Sequence, residues 1–254
     1  MEYFVEKNSI VKKIWGKSDI ILFIFAGAAA EFALNKAVDW LYFTGKLPAD
    51  PIGRLFSTVA YARQIVFSEK EKANTAIDKI RAIHSSVEEN RNAKIPDWAY
   101  RDVLFMLIHY SIASFELLER KLTDEEKEEV FDTFYKLGIR LELKDLPSNY
   151  TAWLPVREEH LQQNLDKSKL SIDLFLQYKK HLGGFRFYIL KQAQIMVVPK
   201  RVNELLQFGK FSSLSPILPV YKLSDKLKIS WIVKSIILPV KYKKQIKDLD
   251  IVPD

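Results

Sequence analysis

Apolar residues in this chain recur three and four positions apart over long segments, the spacing of one helix face, instead of alternating as on a half-buried strand. Glycine, which weakens helices, numbers only eight in 254 residues. Together these features restrict the chain to an all-α fold, a single multi-helix bundle that is globin-like in helix content. Residues 103–118 are apolar nearly all round, so their helix belongs at the centre of the bundle.

Helix ends are also legible. Ser18 or Asp19 caps a first helix predicted to run to about Phe43, and the proline-punctuated residues 45–51 form a loop. Pro51 suits the first turn of a helix reaching about Phe67. Residues 68–71 open the next helix, which fades over 88–94, and Asp97 begins the central one. Thr123 and Glu126 have the spacing of a capping box. After a turn at 146–150 come helices near 151–166, 171–181, 185–196 and 199–208. Residues 212–219 read as loop, ahead of a last helix with Ile229, Ile232, Val233, Ile236, Ile237 and Val240 on one face, which Pro239 kinks or ends. The predicted organisation is an N-terminal segment (1–18), a helical domain (19–209) and a basic amphipathic C-terminal extension (210–254).

Composition removes several kinds of chemistry. The chain has no cysteine, so disulfides, thiolate haem ligation, covalent haem attachment and cysteine-based zinc or iron–sulfur sites are excluded. Its four histidines, at 84, 109, 160 and 181, form no HExxH pair. No phosphate-binding glycine loop or nucleophile elbow is present. The net charge of +7 is spread among acidic residues over most of the chain, and no face interleaves aromatic with basic residues, which argues against a nucleic-acid partner. The apolar run 20–30 is interrupted by Glu31 and Lys36 well short of the ~20 residues needed to span a bilayer, and no secretory signal is evident. The expected location is cytoplasmic.

His84 is the most informative chemical feature. Ala73, Ile77, Ile80, His84 and Val87 share one helix face, so the imidazole points where leucine would be expected. Such a histidine is either a core residue satisfied by a carbonyl or hydroxyl, or a metal or haem ligand. The residues around it leave both readings open.

Three segments in order sharpen the choice: Arg54-Leu55-Phe56-Ser57-Thr58, Arg81-Ala82-Ile83-His84, and residues 95–104, Ile-Pro-Asp-Trp-Ala-Tyr-Arg-Asp-Val-Leu. Further matches are residues 117–123, Leu146-Pro147 with Tyr150, Trp153, Arg157 and His160-Leu161, then Tyr178, Leu182-Gly183 and Val198-Pro199. Over about residues 15–206 the chain resembles the all-helical domain shared by bacterial rubber oxygenases (latex-clearing proteins) and fungal MpaB-type oxygenases. The resemblance implies a b-type haem with His84 as its proximal ligand. It implies that Arg54 and Thr58 belong to the haem pocket and serve catalysis, and Arg81 is then expected to neutralise a propionate or orient the ligand helix. His109, in the apolar central helix, reads from its own position first as a satisfied core histidine, and otherwise as a second haem ligand or distal acid/base. Two departures stand out: Ser57 where the rubber oxygenases have a distal lysine, and Glu88 where they have an arginine one turn after the ligand.

The function implied is haem-dependent oxygenation, by dioxygen, of an apolar isoprenoid or lipid-like substrate. The alternatives are a non-catalytic helical lipid-binding or membrane-surface protein, or a haem carrier. Residues 229–247 carry one apolar face with Lys234, Lys241, Lys243, Lys244 and Lys247 around or after it. That pattern suits either peripheral attachment to an anionic membrane or a last helix packed on the bundle.

Overall fold

The computed structural model describes residues 2–226 and 242–250. Among them are thirteen helices and no strand, with isolated bridges only at Tyr3–Glu69 and Asn35–Leu165. In chain order the helices are α1 (Ile10–Trp15), α2 (Ser18–Leu34), α3 (Val38–Phe43), α4 (Lys46–Ala49), α5 (Pro51–Phe67), α6 (Lys70–Arg91) and α7 (Asp97–Leu118). Then follow α8 (Asp124–Arg140), α9 (Tyr150–Gln163), α10 (Lys169–Val197), α11 (Lys200–Leu206), α12 (Leu218–Lys226) and α13 (Lys243–Asp248).

The centre of the bundle is α2 packed against α7 and α10. Both α2 and α7 are apolar on most sides, as a helix surrounded by others must be. Ile20, Ile21 and Ile24 of α2 and Phe105, Ile108 and Tyr110 of α7 are fully buried. The helices touch closely at Gly27, where an added Cβ would lie 2.2 Å from the Tyr110 ring. Only glycine permits that approach, and it lets Tyr110 reach Glu31 one turn along α2.

One helix end differs from expectation for an identifiable reason. The helix predicted to run from Ser18 to Phe43 breaks at Asn35, which takes an extended backbone conformation. The Asn35 side chain accepts from Ala37 N–H and donates to buried Asp102, so tertiary hydrogen bonds end the helix. The helices predicted near 171–181 and 185–196 are the two halves of α10, which meet at a non-helical Gly183 whose φ of 75° is the left-handed region, as the two-helix pattern predicts. Thr123 and Glu126 close the capping box as the spacing predicts.

Both chain ends pack on the bundle. Val5, Ile10, Val11, Ile14 and Trp15 join the main core. At the other end Tyr242 stacks on Phe56 with centroids 5.2 Å apart, and Arg63 donates to the Leu249 carbonyl at 2.6 Å. Ser18 donates to Asp250 through both its backbone N–H and its hydroxyl. The predicted helix around 229–240 lies outside the described residues. No described helix is long and apolar enough to cross a membrane.

Candidate cofactor site

Helices α5 and α6 form an antiparallel pair turning at Ser68 and Glu69, so Arg54 and His84, at similar distances from the turn, come side by side. Near the turn the pair is sealed, with Ala73, Ala76 and Ile77 buried. Further along the same stripe Ile80, His84 and Val87 are only partly covered, and Ile83 beside them is 44% exposed. The apolar face of α6 therefore opens around the imidazole.

Among the described residues neither ring nitrogen of His84 makes a hydrogen bond. Its ring packs on Tyr100 of α7 with centroids 4.9 Å apart. Burial lowers the His84 pKa below its ordinary value, the Arg54 charge lowers it further, and Glu88 opposes both. The imidazole is thus held neutral, the form that coordinates metals. Burial also lowers the pKa of Arg54, against a weak opposing influence from Tyr61. No carboxylate pairs with this guanidinium among the described residues, and its one hydrogen bond goes to the Ser57 hydroxyl at 3.0 Å.

The other candidates are placed less centrally. The Thr58 hydroxyl donates to the Arg54 carbonyl at 3.3 Å, the self-satisfied arrangement of a helix threonine, and Ser57 donates to the same carbonyl at 2.7 Å. Arg81 does not turn toward His84: it forms an exposed ion pair with Glu142 at 2.8 Å. Glu88 accepts from Ile95 N–H at 2.9 Å, from the Tyr100 hydroxyl at 3.2 Å and from Lys94 at 2.8 Å. Burial works against its ionised form, yet these bonds hold its carboxyl below the usual range. Where the resemblance predicts an arginine, Glu88 instead fastens the loop into α7 and positions the tyrosine that covers His84. Tyr100 was not singled out by sequence; its place nine residues before His109, on the opposite face of α7, is the signal that separates the two.

His109 is not brought together with His84. Nine residues at about 100° each put it half a turn away from Tyr100, on the side of α7 that faces α9 and the end of α10. Burial and the Arg157 charge lower its pKa to about 3, while the Val197 carbonyl, which accepts from the ring, works the other way. It adjoins a buried polar cluster. Arg157 donates to both oxygens of Glu31 at 2.6 and 2.5 Å, and the Tyr110 hydroxyl donates to the same carboxylate at 2.8 Å. His160 is buried against Asp102, which also accepts from Asn35 and Asn164.

An apolar cavity of about 280 Å³ lies on the far side of α5. Ile52, Leu55 and Phe56 line it, together with Ala26, Leu190 and Met196. At about 100° per residue these α5 side chains point away from Arg54, Ser57 and Thr58, so α5 is a wall between the cavity and the His84 side.

The residues on the His84 side fit a haem: among the described residues a neutral imidazole without a hydrogen bond, a half-buried arginine without a carboxylate, and apolar side chains left partly uncovered. Among the described residues no three His, Asp or Glu side chains converge as a metal cage. No curated protein matches the chain. Residues 14–209, more than half of the sequence, match the family described as "ER-bound oxygenase mpaB/B'/Rubber oxygenase, catalytic domain". The chain belongs to this oxygenase family.

Proposed function

We propose that this protein is a b-type haem-dependent oxygenase acting on an apolar, isoprenoid or lipid-like substrate. The observation that carries the reading is the pair on α5 and α6: among the described residues His84 makes no hydrogen bond, and Arg54 meets no carboxylate and bonds only the Ser57 hydroxyl and its own helix. A neutral imidazole on an apolar stripe beside a guanidinium, both only partly covered, is a complementary pair that favours a group engaging both. A single imidazole is sufficient for haem, because the porphyrin brings its own equatorial nitrogens.

Haem, when bound, supplies the redox centre at which dioxygen is activated. The chain's own residues would do the rest. His84 would offer its neutral imidazole to hold the haem iron, with Tyr100 fixing the ring plane from one face and Glu88 holding Tyr100 in place. Arg54 would turn from Ser57 to a propionate, a charge-assisted hydrogen bond worth about 1.5–3 kcal/mol. Ser57 and Thr58 offer only hydroxyls, so neither supplies an amine to the distal side. The partly covered Ile80, Ile83 and Val87 would cover the macrocycle and exclude water.

The experiment is oxygen consumption by haem-loaded protein after addition of an isoprenoid alkene or an unsaturated fatty acid. The proposal expects substrate-dependent uptake that is lost in Arg54→Met. The cavity beyond α5 favours a second reading, an apolar-ligand carrier. Tight binding of the same compounds without oxygen uptake would establish that reading in its place.

A further inference from the structure

The face around the mouth of the apolar cavity is built from two segments, residues 179–197 of α10 and residues 207–222. The kink at Gly183 redirects the second half of α10. Phe185 and Tyr188, three residues apart, then share an outward stripe and are 63% and 49% exposed. The second segment is tied along this stripe: the Tyr188 hydroxyl bonds the Ser213 hydroxyl at 2.8 Å, and Ser213 N–H donates to Gln192 at 2.7 Å. Phe211, two residues before the tied Ser213, is 87% exposed, and Ile217 at the cavity wall and Val220 after it are also exposed.

This is a large amount of uncovered apolar and aromatic surface for one side of a protein, and such patches mark contact with something else. Its charge identifies the partner. The two segments contain Lys179, Lys180, Arg186, Lys191, Lys210 and Lys222 and no carboxylate. Asp19 of α2, which lines the cavity with Arg186, is the acidic group at its wall. Helices α6 and α8, by contrast, carry acids among their bases. Aromatic and bulky aliphatic side chains rimmed by lysines are the composition of a surface that lies in a headgroup region, with rings at the acyl boundary and ammonium groups on lipid phosphates.

We infer that this face docks on an anionic lipid bilayer and opens the apolar cavity to it, so that a single-chain lipid or isoprenoid passes from the membrane into the protein past Ile217. The docking stands apart from the haem reading, because the cavity is on the other side of α5 from His84. It also differs from attachment through residues 229–247, since every side chain it uses lies before them.

The full-length chain is sedimented with vesicles of phosphatidylcholine and with vesicles in which roughly one lipid in three is phosphatidylglycerol. Binding is expected to the anionic vesicles, to weaken with salt, and to fall at least about tenfold in Phe185→Ser/Phe211→Ser and in Lys179→Glu/Lys180→Glu/Lys210→Glu. All five side chains are exposed, so both variants should retain the wild-type melting temperature, which is measured alongside. Binding left intact in both variants would place membrane contact elsewhere and overturn the proposal. So would absence of binding by the parent chain, or a dimer that the Phe185→Ser/Phe211→Ser change dissociates, which would make the patch an interface between copies.

Discussion

The chain contains the spacing Arg-x-x-His twice, and the two copies behave in opposite ways. On α9, Arg157 and His160 are both buried and each meets a buried carboxylate, Glu31 and Asp102. On α6, Arg81 pairs with Glu142 at the surface, and His84 is left on an apolar face with no hydrogen bond among the described residues. One copy is closed on itself and does structural work. The other has a donor set without acceptors, which is what a ligand site requires before its ligand is counted. The spacing alone does not separate them; the partners do.

The largest expected effect is on the closed copy. Glu31→Gln should cost about 3–5 kcal/mol, because it leaves the Arg157 charge buried without its carboxylate. Urea unfolding should show a large loss of stability or no folded protein. Arg157→Met with Glu31→Gln should recover part of that loss, since removing both charges leaves neither unpaired. If Glu31→Gln is as stable as the parent, the cluster is not what holds α2 to α9.

Acid should act next, through His109. Its folded pKa is depressed to about 3 from 6.5, so between those values the unfolded chain binds a proton that the folded chain does not. This contribution is fully present above pH 6.5 and is lost as pH falls toward about 3. The loss reaches about 2 kcal/mol by pH 5, at about 1.4 kcal/mol per unit below 6.5. His109→Asn should flatten stability against pH over that window, and an unchanged slope would remove His109 as its cause.

Most of the architecture was legible because periodicity and caps are local signals. The central burial of α7, the Pro51 start of α5 and the Thr123 capping box all follow from residues close in sequence. The break at Asn35 was not legible, because its cause is Asp102 on another helix. For the same reason Glu31 read as a charge interrupting an apolar run, while its partners, Arg157 and Tyr110, lie 126 and 79 positions away. At the candidate site, the inward stripe of α6 and the resemblance brought out His84, Arg54 and Thr58. The covering role of Tyr100, the surface pairing of Arg81 and the separation of His109 depend on how α6, α7 and α9 are set against one another.

The smallest expected effect belongs to Arg81. Its exposed ion pair is worth about 0.2–1 kcal/mol at most, so Arg81→Ala should change melting and haem affinity little. A large loss of haem from Arg81→Ala would restore it to the pocket and contradict its placement at Glu142. Arg54→Met should instead weaken haem about ten- to a hundredfold without unfolding the protein, as expected for the loss of a charge-assisted hydrogen bond to a propionate.

The most direct measurement is a haem titration of the purified protein, followed by its visible absorption spectrum, on the parent chain and on His84→Gly. The parent should give a saturable, sharpened haem band. His84→Gly should remain folded by circular dichroism, lose that band, and regain it when free imidazole is added. A His84→Gly protein that binds haem with the parent's spectrum and affinity, and does not respond to imidazole, would show that His84 is a core histidine and that the open copy of the Arg-x-x-His spacing is not a ligand site.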